Sequence, residues 1–163
     1  MEFVADSSTL IIMAKAEILS EALGVHRFWI PQVVADECLA KESLDSKAIG
    51  AWIEDGRIRI CPVGNPDAAA RLKKDFKIHR EEAEALQSAI ENRRPMAVDD
   101  YRTIKACKIL DVRFATAVHF LIALRESGRL DLERARIRLE MLARIGRYSD
   151  RIVQDAANRM QGG

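Results

Sequence analysis

Asp6, Glu37, Glu82 and Asp100 are the side chains whose types and positions point to chemistry. Each falls just after a predicted strand or in the early turns of a helix next to one. In an α/β sheet those places converge on one edge, where ligands bind beyond the carboxyl ends of the strands. Carboxylates brought together repel one another unless something positive stands among them. The usual answer is a hard cation with oxygen ligands, Mg²⁺ or Mn²⁺. An acidic edge that holds such an ion suggests phosphodiester chemistry.

Each acid also has a plain structural reading. Asp6 precedes Ser7 and Ser8, so capping a helix and holding a ligand are both open to it. Glu37 is equally well read as a solvated helix residue. Glu82 carries more information. On the helix predicted over 79–92, Ala83, Leu86, Ala89 and Ile90 form an apolar stripe. Glu82 falls inside that stripe, and Glu84 falls on the opposite, wet face. A carboxylate on a buried face must be paired or metal-bound, an arginine partner being the alternative. A helix N-terminus favours an anion there by about 0.3–1 kcal/mol. Asp99 and Asp100 follow the apolar Met96-Ala97-Val98, and one of the two is expected to cap or turn the chain. We assign Asp100 as the ligand and Asp99 as its auxiliary.

The elements that must position these groups alternate. Strands are predicted at 2–5, 27–30, 57–61, 95–98 and 112–115. Helices are predicted at 7–20, 31–41, 46–55, 67–75, 79–92, 101–110, 117–127, 131–145 and 150–160. Strands separated by helices of this length imply an α/β fold with a mostly parallel sheet covered on both faces. A phosphoryl-accepting receiver domain would share that sheet. It would need an aspartate after the third strand and a lysine after the fifth, where this chain has Cys61-Pro62-Val63 and Ala115-Thr116.

The 163 residues make one domain, with 48% apolar and 31% charged residues. No apolar run approaches a membrane span and the N-terminus shows no signal peptide, so a cytoplasmic protein is expected. Cys38, Cys61 and Cys107 form no CxxC pair and are expected as reduced, buried thiols. His26, His79 and His119 lack zinc-ligand spacing. With a net charge of +1, any case for nucleic acid is local. Arg102, Lys105 and Lys108 recur every third residue on the helix after Asp100, and Arg71, Lys73, Lys74, Lys77 and Arg80 precede Glu82. Such groups bind phosphates without reading sequence. Aromatic residues are only 6% of the chain, so base stacking plays a minor part.

Several stretches resemble the PIN-domain family, of the prokaryotic kind found among small ribonucleases and toxin–antitoxin toxins. Phe3-Val4-Ala5-Asp6-Ser7-Ser8-Thr9 resembles the family's first strand, first acid and following hydroxyl residues. Pro31 through Val34 to Glu37 resembles the P-x-x-V-x-x-E segment of the second acid. Glu82-Ala83-Glu84-Ala85 resembles the GE-x-E-A version of the third, with Glu81 in place of the glycine. Val98-Asp99-Asp100 resembles the T-D-D turn, with Val98 for threonine, and Ala115-Thr116 resembles the GT pair after strand five. The resemblance runs from Phe3 to about Leu130.

It implies a three-layer α/β/α domain around a five-stranded parallel sheet in the order 3-2-1-4-5. The core would span about 1–130, with a C-terminal helical extension over about 131–161. It further implies an endoribonuclease that uses Mg²⁺ or Mn²⁺ to hydrolyse single-stranded RNA. Asp6, Glu37, Glu82 and Asp100 would be the metal-holding acids, with Ser8, Asp99 and Thr116 as auxiliaries. Arg102, Lys105 and Lys108 would hold the RNA backbone. A toxin silenced by a small antitoxin protein and a homodimer fit the same resemblance. The rival within the family is a non-catalytic module that binds RNA or protein.

Overall fold

The computed structural model describes residues 1–146 and 148–162. In chain order the elements are β1 (Glu2–Ala5), α1 (Ser7–Lys15), α2 (Leu19–Leu23), β2 (Arg27–Ile30), α3 (Gln32–Leu39) and α4 (Leu44–Glu54). Next come β3 (Ile58–Ile60), α5 (Pro66–Phe76), α6 (Arg80–Asn92), β4 (Met96–Ala97) and α7 (Tyr101–Ile109). The chain closes with β5 (Phe114–Ala115), α8 (Ala117–Glu126), α9 (Leu132–Ile145) and α10 (Asp150–Gln161).

The five strands form one parallel sheet in the order β3-β2-β1-β4-β5, as expected, with helices flanking it in a three-layer α/β/α arrangement. The central strands read as unbroken apolar runs because both faces are covered. Val4, Ala5, Phe28, Ile30, Met96 and Ala97 are wholly buried. Side chains alternate across the sheet. On one face Phe3 packs against Phe28 and meets Phe120 of α8, ring centroids 4.9 Å apart for the latter pair. The other face carries Trp29, with Arg94 just beyond α6 laid 4.3 Å from its ring centroid. Cys38, Cys61 and Cys107 are free and buried.

Three expectations needed adjustment. The single helix over 7–20 is two helices: Glu17 turns left-handed (φ 56°), and Ile18 N–H bonds back to Met13 O at 2.8 Å. That turn folds the apolar Ile18 and Leu19 into the core, which a straight helix would not do. On α6, Ile90 is partly exposed rather than part of the buried stripe. Glu84 is half-buried rather than wet, because Arg80 reaches across one turn to it at 2.8 Å. The C-terminal helices join the core through Ala135, Leu139 and Leu142 of α9 and Ala156 and Met160 of α10.

The sheet order sets which strand ends are neighbours. β1 lies between β2 and β4, and Ala5 pairs with Ala97. Both chains leave the sheet at the same edge, and Asp6 N–H donates to Ala97 O at 3.3 Å.

Candidate active site

Helix N-termini build the acidic edge. Asp6 caps α1, accepting from Thr9 N–H at 2.9 Å on Oδ1. Asp100 caps α7, where its Oδ2 accepts from both Thr103 N–H and Thr103 Oγ1 at 2.9 Å. Glu82 lies in the first turn of α6 and its Oε2 accepts from His79 N–H at 2.7 Å, half of a capping box. Asp99 accepts from Ala117 N–H, the first residue of α8, at 3.2 and 3.3 Å. Acidic residues fit these positions locally because each helix leaves its first N–H groups without intrahelical partners.

The pattern of bonding separates the acids. Asp6, Glu82 and Asp100 each have one oxygen held by a helix N–H. The Thr9 side chain also acts on the Asp6 carboxyl, and Ser8 Oγ lies 3.4 Å from each of its oxygens. Asp99 differs, because both of its oxygens are engaged. Tyr148 Oη donates to Oδ1 at 2.6 Å, Thr9 Oγ1 donates to Oδ2 at 2.9 Å, and Ala117 N–H reaches both. A carboxylate so occupied suits the auxiliary role, and carboxylates anchored through one oxygen suit ligands.

Electrostatics ties the group together. Asp6 is wholly buried, and its carboxyl is pushed up to about 7, chiefly by burial, with Asp99 and Glu82 adding repulsion. Burial also raises Glu82, and Asp100 contributes like-charge repulsion. Asp99 is raised by burial against the lowering effect of its donors. Among the described residues, none of these four carboxylates has an ion pair with lysine or arginine. The helix ends offset part of the charge. Each N-terminus supplies about half an elementary charge, less than one carboxylate carries.

Glu37 stands apart. It is exposed on α3, and what it shares with Asp6 is a neighbour, the Cys38 thiol, which burial, with smaller contributions from both acids, pushes up to about 12. Ser8 is exposed and touches Asp6 at long range. Thr116 caps α8 through His119 N–H, and the next residue supplies the N–H to Asp99. The sequence reading missed Thr9, which is buried and links Asp6 to Asp99 by its N–H and its hydroxyl. Its position in the Ser-Ser-Thr run was the available signal. Tyr148 was missed as well, and nothing near it in sequence hints at Asp99. Arg102, Lys105 and Lys108 are exposed on α7. Arg102 donates to Lys77 O at the end of α5 at 3.1 Å, so the two basic stretches meet beside Glu82 and Asp100.

The donor set is all hard oxygen, desolvated and short of positive charge, which fits Mg²⁺ or Mn²⁺. Among the described residues, no three acidic, histidine or cysteine side chains are already gathered round one point as a cation site. No helix among them is long and apolar enough to cross a membrane. No curated protein sequence matches the chain significantly. The family model DUF3368, a PIN domain, matches residues 2–161. With nearly the whole chain covered, with the strand order and with the acids at the carboxyl edge, the protein belongs to the PIN-domain family.

Proposed function

We propose that this protein is a divalent-metal-dependent endoribonuclease acting on single-stranded RNA. The family supplies a nuclease-type fold. The observation that carries the finer reading is the bonding at the acidic edge: Asp6, Glu82 and Asp100 are each anchored through one oxygen by a backbone N–H, and among the described residues none has an ion pair with lysine or arginine. Those three would hold Mg²⁺ or Mn²⁺, with Glu37 reaching in from α3 directly or through water. The ion, when bound, lowers the pKa of a coordinated water and neutralises charge on the scissile phosphate.

The chain's own residues do the rest. Glu82, whose proton affinity is raised by burial, orients the attacking water. Thr9, Thr103 and the His79 N–H hold the acids in place, so little reorganisation is needed on binding. Asp99 fixes the N-termini of α1 and α8 beside them, with Ser8 and Thr116 as peripheral hydroxyls. Arg102, Lys105 and Lys108 hold the RNA backbone by charge. A small antitoxin protein and a second copy of the chain are partners within this reading, in a cytoplasmic setting.

The non-catalytic alternative draws support from one observation, that among the described residues the acids are not already gathered round a single point. An RNA cleavage assay separates the two. Wild type is expected to cleave single-stranded RNA with Mn²⁺ and to stop on chelation. Asp6→Asn should lose more than the roughly 10–100-fold typical of a ligand-supporting residue, with an unchanged circular dichroism spectrum. Equal activity of wild type and variant sinks the nuclease reading.

A further inference from the structure

Tyr148, which lies between α9 and α10, makes a specific polar contact with the acidic edge. Tyr148 Oη donates to Asp99 Oδ1 at 2.6 Å, the shortest side-chain hydrogen bond to any of the acids. The phenol is held as a donor, because burial and the adjacent Asp99 charge both raise its pKa. Gly146 makes room for it: a Cβ there would collide with the Tyr148 ring. Glycine at this point is a packing requirement rather than a matter of backbone freedom, since its φ of −87° is ordinary.

From Tyr148 the contacts run on without a gap. Asp99 Oδ2 accepts from Thr9 Oγ1 at 2.9 Å, and Thr9 N–H donates to Asp6 Oδ1 at 2.9 Å. Asp99 also takes the first N–H of α8. One carboxylate thus gathers the C-terminal helical pair, the start of α8 and the start of α1, and the last of these carries Asp6. We propose that Tyr148 is a positioning residue, which holds Asp99 turned away from the other acids and, through Thr9, fixes the Asp6 carboxylate. Without the phenol, one Asp99 oxygen loses its best donor and is drawn toward the ion position that Asp6 should occupy. The C-terminal helices are therefore part of the site and not only of the core.

This inference rests on the nuclease reading, so its test carries both. Tyr148→Phe removes one oxygen and keeps the ring, and Asp99→Asn is made alone and in combination with it. Three quantities are measured on the full chain: kcat and KM for single-stranded RNA, and the Mn²⁺ concentration that half-saturates the rise in melting temperature. In Tyr148→Phe, kcat is expected to fall and the Mn²⁺ half-saturation to rise, each about 10-fold, with KM unchanged. In the Asp99→Asn background, Tyr148→Phe should change either quantity less than about 2-fold, because the two act as one unit. A bystander tyrosine that merely packs the C-terminal helices would leave Mn²⁺ half-saturation and kcat alone, or would act equally in both backgrounds. Either result overturns the proposal, as does a Tyr148→Phe chain that no longer folds. A wild type that neither cleaves RNA nor responds to Mn²⁺ removes the nuclease reading itself, whereas an active wild type matched by Tyr148→Phe removes only this inference.

Discussion

The two ends of the parallel sheet handle charge in opposite ways. At the amino ends of the strands, Glu2 Oε2 lies 3.3 Å from Arg94 Nε, close enough for an ion pair though not aligned as a hydrogen bond. Arg94 also covers the Trp29 ring, with Arg59 at 5.5 Å on the same ring. There the charges of opposite sign meet and the cation rests on an aromatic face. At the carboxyl ends, Asp6, Glu82, Asp99 and Asp100 meet helix N-termini and hydroxyls and, among the described residues, form no ion pair with lysine or arginine. Dipole ends are only partial charges, so the carboxyl edge keeps a surplus of negative charge while the amino edge does not. The contrast separates charge that stabilises from charge kept for a ligand. Glu2, at the amino edge, has a cation beside it, and Asp99, at the carboxyl edge, has both oxygens taken by neutral donors. An acid meant for an incoming ion is anchored by one oxygen and left short of a counter-charge.

Stability against pH tests this contrast most strongly. The Asp6 carboxyl stands near pH 7 in the fold against its ordinary 3.8. The folded state therefore binds the proton more tightly than the unfolded chain. Without metal, folding stability should fall as pH rises from about 4 to 7, by about 4 kcal/mol for this group alone. Above pH 7 the full penalty is present. A cation that binds only the folded form opposes it by linkage, giving about 2.7 kcal/mol at a concentration 100 times its Kd. Melting scans with and without Mn²⁺ should therefore diverge more at pH 8 than at pH 6. Curves that stay parallel, or no metal effect at millimolar concentration, would remove the distinction between the two edges.

Next in size is the pair on α6. Glu82→Gln should cut RNA cleavage about 100-fold, since it removes an acid of the surplus group. Glu84→Gln breaks only the salt bridge to Arg80 and should change activity less than 2-fold or so. The reverse order would mean that the wrong face of α6 serves the site. The smallest effect belongs to the amino edge. Arg94→Ala should cost about 1–2 kcal/mol through the lost stack on Trp29 and the lost pairing of Glu2. It should leave the Mn²⁺ response untouched, as read by urea unfolding beside a metal titration. A shifted metal response would show the two edges to be coupled.

Much of the frame was legible because strand and helix leave local marks. The apolar run 2–5, the prolines and glycines between elements, and the alternation of strands with helices all survive into the fold with boundaries moved by a few residues. Glu82 was legible for a different reason. A carboxylate among Ala83, Leu86 and Ala89 has to be buried, and it is. The break after Lys15 was not legible, because the left-handed Glu17 is favoured only once Ile18 has a core to enter. Glu84 was placed in water by its position on the wheel, but a long arginine one turn away moved it under cover.

By itself the sequence determined which residues are acidic, which elements they border and, through helix capping, that a backbone N–H was within reach of Asp6 and of one of Asp99 and Asp100. Those are local matters, settled within a turn of chain. Tertiary structure decided which acids share an edge. It also set Tyr148 beside Asp99, 49 residues apart, and Thr9 beside Asp99, 90 apart. The difference has a physical cause. Capping needs a donor three residues away, whereas a desolvated cluster of like charge exists only after a parallel sheet has brought distant strand ends together and excluded water from them.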